Sequence, residues 1–397
     1  MAIATETVAR PPFSAAQARK LISRHGGPLY VYDRVSFAGR ARELLELFLP
    51  FGLTVRYAVK ANPHPEIIEL FAAAGLSFDA SSSYEAVELL QQGIRGATIS
   101  LSSQQPAHNL SELLEAGVQY VATSMHQLEL FAKASEPGAH VALRVNAGLG
   151  SGHSKRTTTA GPNASFGLWH EYLDEALAYA RSHDLVIDRL HTHIGTGADP
   201  LVWRTAIETS LDVAARMPDV TILDMGGGYK ILRREGDARV DMGQVASIFA
   251  DRLLAFSQKT GRRLHLEIEP GALLVANAGY LITEITDIVD TGKDGYTFLR
   301  INTGMNDFLR PTLHGGQHDL EVLNDSSEWA EYVVVGHNCE SSDIITTAAG
   351  DPETIEPRKL RKAHIGDLLV IKNAGAYCAS LRAKGYNSFP DAGEVVI

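Results

Sequence analysis

The chain has 397 residues, 45% of them hydrophobic and 21% charged, a net charge of −11 and only two cysteines, Cys339 and Cys378. This is the composition of an ordinary globular protein too long for one hydrophobic core, so two domains are expected. The acidic balance argues against a nucleic-acid partner, which needs a basic stripe, and two cysteines build no disulfide framework and point to a reducing compartment. The opening residues MAIATETVARPPF lack the apolar run of a signal peptide, and no stretch reaches membrane-spanning length. A cytosolic location with no membrane partner is expected.

From about residue 53 short β-rich runs alternate with helical patterns. The predicted strands are 54–60, 76–80, 97–102, 118–123, 140–146, 186–194, 220–225 and 264–269. Between them lie apolar stripes with helical spacing, such as Ile67, Ile68, Leu70 and Phe71, and the helices stop at Gly75, Gly93 and Gly117. Eight strand–helix units make a (β/α)8 TIM-like barrel, and no GxGxxG turn follows the first strand as a doubly wound sheet would have it. After residue 280 the runs YLITEITDIV, YTFLRIN, EYVVVGH and DLLVIKNA predict an antiparallel sheet. The α/β chain therefore divides into a barrel over 35–280 and a C-terminal antiparallel β domain, sandwich-like, made of 281–397 with 1–34.

In such barrels chemistry gathers at the C-terminal ends of the strands. Those ends carry Lys60, Asp79, Arg144, His193, the triplet Gly226, Gly227 and Gly228, and Glu269. Strand periodicity puts Arg56, Ala58 and Lys60 on one face, and likewise His191 with His193, and His265 with Glu267 and Glu269. A lysine in an apolar barrel mouth loses hydration and becomes a nucleophile that forms imines. Taken singly, each residue has a plainer reading: a snorkelling lysine, a tight glycine turn, a satisfied barrel carboxylate, a structural histidine. Taken together, an imine lysine, a glycine cradle for phosphate, a carboxylate for a pyridine nitrogen and a flat ring for stacking suit one cofactor.

The chain also resembles a known family. YAVKANP (57–63), FDASS (78–82), LRVNAGLGSGHSKRTTTAGPNASFGL (143–168) and HTHIGTG (191–197) are matched in order by MGGGY (225–229), LEIEPG (266–271), NTGMNDFLRP (302–311), GHNCESSD (336–343) and NAGAY (373–377). These motifs are similar to those of the fold-type III pyridoxal-phosphate decarboxylases, which act on diaminopimelate, ornithine or arginine. The insertion at 147–164 and the CESSD run most resemble the diaminopimelate decarboxylases. The resemblance implies an alanine-racemase-like barrel and pyridoxal 5'-phosphate as cofactor, with no metal. Lys60 is then the Schiff-base lysine, His193 stacks on the ring, and Glu269 pairs with its nitrogen. Thr196, Gly228, Gly271 and Tyr377 hold the phosphate, while Asp79 and Arg144 support the lysine and ring. It further implies a homodimer with shared active sites, in which the second copy contributes Cys339 as proton donor and Glu340 facing the distal ammonium of an amino-acid substrate.

Departures cluster among the residues implied to meet the substrate. EPG is followed by Ala272 where these decarboxylases have arginine, and Arg310 is followed four residues on by His314 where they have tyrosine. Ser165, Asn302, His337 and Cys378 also depart, and the chain ends soon after Tyr386-Asn387. Decarboxylation of a diamino acid, or of an amino-acid-bearing intermediate of a secondary pathway such as a siderophore or antibiotic, is the leading expectation. Housekeeping meso-diaminopimelate decarboxylation, a racemase of the same fold, a non-catalytic regulatory relative and a cofactor-free imine aldolase are the alternatives.

Overall fold

The computed structural model describes residues 10–148, 150 and 160–397, so most of the predicted insertion at 147–164 and the middle of the 143–168 motif fall outside the described residues. Two compact units emerge: one made of residues 1–37, 231–238 and 275–397, the other of 38–230 and 239–274. Among the described residues no helix is long and apolar enough to cross a membrane.

The second unit is the barrel. Its strands are β1 (Leu53–Ala58), β2 (Ser77–Ala80), β3 (Ile99–Leu101), β4 (Gln119–Ala122), β5 (His140–Asn146), β6 (Val186–His191), β7 (Ile222–Asp224) and β8 (His265–Ile268). They pair in parallel in the order β4-β3-β2-β1-β8-β7-β6-β5, and β4 pairs with β5 to close the ring. All eight predicted strands are present, seven of them trimmed by one to three residues. That trimming moves three of the predicted site residues off their strands. Lys60 lies past Ala58 in a single 3-10 turn (Val59–Ala61), His193 lies past His191, and Glu269 past Ile268.

The helices form for local reasons. Pro65–Ala74 opens on a proline, whose fixed φ suits the first turn, and closes on Gly75 at φ +93. Ser82, Asp199 and Asp241 each accept a backbone N–H and so cap the helices Ser83–Gln91, Pro200–Ala215 and Met242–Thr260. Each lays an apolar stripe on the barrel's outer surface, for example Ile67, Ile68 and Phe71, all buried.

The first unit holds an eight-stranded sheet built around the long strand Gly279–Asp290. The four runs expected as strands after residue 280 all form, and the sheet is mostly antiparallel. Two pairings are parallel: Leu29–Tyr32 with Gly393–Val396, and Thr297–Ile301 with Trp329–Val335. Its core gathers Leu29, Val31, Tyr280, Ile282, Leu368 and Val370.

Candidate active site

The turn that carries Lys60 is fixed from both sides. Tyr57, fully buried on β1, donates its hydroxyl to the Asn62 carbonyl at 2.8 Å, and the Ala58 N–H donates to the Pro270 carbonyl. Lys60 Nζ then sits 3.0 Å from Ser81 Oγ and 3.5 Å from Asp79 Oδ2 at the end of β2. Its side chain is 49% exposed, so the expected dehydration of this lysine is not found; the turn carries it beyond the packed strand layer. Asp79 is buried, and its second oxygen has no hydrogen-bond partner among the described residues.

The glycine triplet follows β7 and packs against the loop after β6. Gly228 has φ +95, and a Cβ there would lie 1.6 Å from the Gly195 carbonyl oxygen; at Gly227 a Cβ would lie 2.3 Å from that of Glu269. No side chain fits, so the loop presents bare backbone, which suits close approach of a phosphate. The Gly197 N–H donates to the Gly228 carbonyl at 3.0 Å and locks the two loops together, with Thr196 between them. Gly226, at φ +66, clears room for the His193 ring, and the Gly227 N–H donates to His193 Nδ1 at 3.1 Å. That bond needs a lone pair on Nδ1. Burial, followed by the charges of Arg144 and Lys60, holds His193 well below its ordinary pKa, so the ring is neutral with its proton on Nε2.

Beside this lies a cluster of buried titratable groups that leaves several polar atoms unsatisfied. His191, Asp224 and Glu269 are all buried, with their ligand atoms within 4.8 Å of one another. His191 Nε2 is 3.3 Å from Glu269 Oε2, yet among the described residues both ring nitrogens, Glu269 Oε1 and Asp224 Oδ2 lack hydrogen bonds. Asp224 Oδ1 accepts the Gly226 N–H at 2.9 Å, tying the cluster to the cradle. Burial, then the nearby Asp79, raises Glu269 to about 7, and burial lowers His191 to about 4. Orphaned buried polar atoms of this kind call for a further group. Arg144, on β5, lies over the Phe166 ring at 5.2 Å. Gly271 is buried, and Ala272 opens the short helix Ala272–Val275.

In the other unit, Cys339 and Glu340 stand together on an exposed turn. The Cys339 N–H donates to Asn387 Oδ1 at 2.7 Å, and Tyr386 donates its hydroxyl to Glu340 Oε2 at 3.2 Å. Asp343 braces the turn by accepting from the Met305 and Asn338 N–H groups. Arg310 opens the short helix Arg310–His314, and Tyr377 follows the loop 372–376 at φ +56. Sequence reasoning missed Asp224, the bracing by Tyr386 and Asn387, and Arg233, whose guanidinium grips the 372–376 loop. For Asp224 a signal existed: it ends β7, two residues before the triplet it supports.

The residues of the barrel fit pyridoxal phosphate: an exposed-edge lysine beside a carboxylate, a cradle no Cβ can enter, a neutral flat ring, and an orphaned buried carboxyl. Comparison with known proteins agrees. The family model for the pyridoxal binding domain of pyridoxal-dependent decarboxylases matches residues 37–276. Diaminopimelate decarboxylase of Streptomyces coelicolor is 32% identical over 386 residues, covering 94% of this chain and 85% of that protein. The Escherichia coli K12 enzyme of the same name is 31% identical over 396 residues, covering 95% and 90%. A crystal structure of a diaminopimelate decarboxylase superposes with a TM-score of 0.88 at 30% identity over 96% of this chain and 91% of that one. A lysine/ornithine decarboxylase from Vibrio vulnificus shares the fold, at TM-score 0.79 and 20% identity over 96% of this chain and 98% of that one. With a model matched over more than half its length and relatives above 30% identity across nearly all of it, the chain belongs to the pyridoxal-dependent decarboxylases.

Proposed function

We propose that this chain holds pyridoxal phosphate on Lys60 and removes the α-carboxylate of an amino acid that carries a second functional group at its far end. The observation that carries the proposal is Lys60 Nζ within 3.5 Å of a buried Asp79, in the same barrel as a backbone cradle that excludes every side chain. Bound pyridoxal phosphate supplies an electron sink for the pair left when carbon dioxide departs.

The chain's own residues do the rest. Asp79 and Ser81 steer Nζ and take part of its charge. Of the triplet, the Gly228 N–H would hold the phosphate together with Thr196, Gly271 and Tyr377, while the Gly226 and Gly227 N–H groups brace Asp224 and His193. Neutral His193 offers a ring face, and Arg144 stiffens that side of the site. Glu269 would pair with the pyridine nitrogen and keep it protonated. Cys339 returns a proton to the α carbon, and Glu340 meets the distal ammonium, both supplied by a second copy in a homodimer with shared sites. The exposure of Cys339 and Glu340 supports that arrangement. The unpaired cysteines fit a cytosolic enzyme.

The substrate in this proposal is a diamino acid or related intermediate of a secondary pathway rather than ordinary meso-diaminopimelate. Ala272 and His314 support it, because losing a charge-assisted partner to a carboxylate costs roughly 1.5–3 kcal/mol, about one to two decades in affinity. The competing reading, housekeeping meso-diaminopimelate decarboxylation, is favoured by the names of the relatives. Steady-state decarboxylation across a set of diamino acids decides between them: efficient release of lysine from meso-diaminopimelate removes the specialised substrate. The cofactor assignment is tested by Lys60→Ala, which is expected to abolish the visible imine absorption and nearly all turnover; retained turnover overturns it.

A further inference from the structure

Four buried polar atoms at one point of the barrel have no hydrogen bond among the described residues: His191 Nδ1 and Nε2, Asp224 Oδ2 and Glu269 Oε1. The topology brings them together. His191 closes β6 and Asp224 closes β7, the two lie in register across that pairing, and Glu269 follows the adjoining β8. One ligand atom from each residue lies within 4.8 Å of the other two.

A cofactor nitrogen needs a single acceptor, so it accounts for Glu269 and leaves His191 and Asp224 unanswered. Buried polar atoms seldom stay unpaired. Water could supply their hydrogen bonds, but it leaves two mutually repelling carboxylates out of bulk solvent with their charge in place. A divalent cation answers both needs, because one neutral imidazole and two carboxylates balance its charge. Asp224 Oδ1 is already taken by the Gly226 N–H at 2.9 Å, which fixes the carboxylate and leaves Oδ2 to face the cluster. One imidazole nitrogen and two carboxylate oxygens suit an ion of the zinc type, which accepts three protein ligands and keeps a fourth position open. Magnesium, which keeps several waters in an octahedral shell, is poorly served by so buried a set.

We propose that in the cofactor-free chain His191, Asp224 and Glu269 bind one divalent transition-metal ion of the zinc type, and that this ion and the cofactor exclude each other because both claim Glu269. The exclusion rests on the decarboxylase reading above; the metal site does not. The ion takes one donor atom from each residue and withdraws the Glu269 carboxylate from the pyridine nitrogen. Cofactor loading is thereby made sensitive to metal.

Titration of zinc into the full-length chain, stripped of cofactor with hydroxylamine, is expected to show one ion bound per chain. His191→Gln and Asp224→Asn are each expected to weaken that binding by about a hundredfold or more, because even supporting residues around a metal ligand count for about tenfold to a hundredfold. Cys339→Ala, which removes the exposed thiol, is expected to leave it intact. Unchanged affinity in His191→Gln, loss of affinity in Cys339→Ala, or a wild type that binds no zinc each overturns the proposal. Should the two ligand variants fail to fold, cobalt(II) in the wild type decides. Visible ligand-field bands that vanish in Glu269→Gln support the site; bands that survive there, or a thiolate charge-transfer band, overturn it. Zinc-loaded chain, freed of unbound ion, is then expected to develop the imine absorption with pyridoxal phosphate about tenfold more slowly than metal-free chain, since only the metal-free fraction is competent. A chelator is expected to restore the rate, and equal rates overturn the exclusion. A metal-free chain that never develops the absorption sinks the decarboxylase reading instead, while the titration still decides the metal site.

Discussion

Glu267 and Glu269 stand two residues apart, one on β8 and one just past its end, both buried, yet their surroundings differ in kind. Glu267 receives Arg56 through Nε at 2.9 Å and Nη2 at 2.6 Å, and Arg189 through Nη1 at 3.0 Å. Gln119 accepts from both arginines, and Ser100 takes the last fork of Arg189. Burial pushes the Glu267 carboxyl up, but Arg189 and Arg56 overcome it and hold it at about 2. One layer along the barrel, Glu269 has His191 and Asp224 for neighbours and an oxygen with no hydrogen-bond partner among the described residues. The same barrel therefore contains a polar layer that is closed on itself and another left open. The closed one organises the strands. The open one costs stability and keeps its capacity for a ligand.

The contrast is broken most severely by Glu267→Ala, which strands Arg56 and Arg189 as buried uncompensated charges. Unfolding in urea is expected to show a loss of about 3–5 kcal/mol. Glu269→Gln is expected to leave stability unchanged or improved, because a strained carboxyl is removed, while decarboxylation falls about a hundredfold or more. Equal destabilisation by the two substitutions would erase the distinction between the layers.

Proton linkage sharpens it further, in the cofactor-free protein. Glu269, raised to about 7, favours folding while protonated, so its contribution is full below the ordinary carboxylate range and is lost as pH rises through about 7. Glu267, lowered to about 2, contributes above the ordinary range and loses that contribution as pH falls toward 2. Urea midpoints across a pH series are expected to decline toward neutrality in the wild type, and Glu269→Gln is expected to flatten that limb alone. The smallest effect belongs to Gln119→Ala, which removes a shared neutral acceptor and should cost about 1 kcal/mol of stability with turnover untouched.

Much of this was legible in the sequence because it is local. Strand runs, glycine stops and the order Lys60, Asp79, Arg144, Gly226–Gly228, Glu269 depend on neighbours along the chain, and the barrel bears out the fold they imply. Missed features depend on closure. Arg56 and Glu267 are separated by 211 positions, and Arg189 and Glu267 by 78, so their pairing exists only once the ring is complete. The face shared by His265, Glu267 and Glu269 was readable by period two, but not that its members would meet opposite fates. Lys60 was given to a strand because TVRYAVK is β-rich throughout; the Tyr57–Asn62 hydrogen bond bends it into a turn instead. The hydrogen bonds that link Arg310 through His318 to the Lys372 carbonyl likewise have no signal beyond the residues themselves.

The approach of Gly228 to the Gly195 carbonyl has a consequence for how this protein can change over generations. A seat made of backbone offers no side chain to exchange, so drift at Gly227 or Gly228 meets a wall of carbonyl oxygen at the first added carbon. Substitution there is all-or-nothing. Ala272 and His314 stand where side chains differ by size and charge and can be traded in steps. Inheritance is thus rigid where the cofactor is expected to sit and permissive among the residues assigned to the substrate, which allows a lineage to alter what it decarboxylates while keeping the means by which it does so.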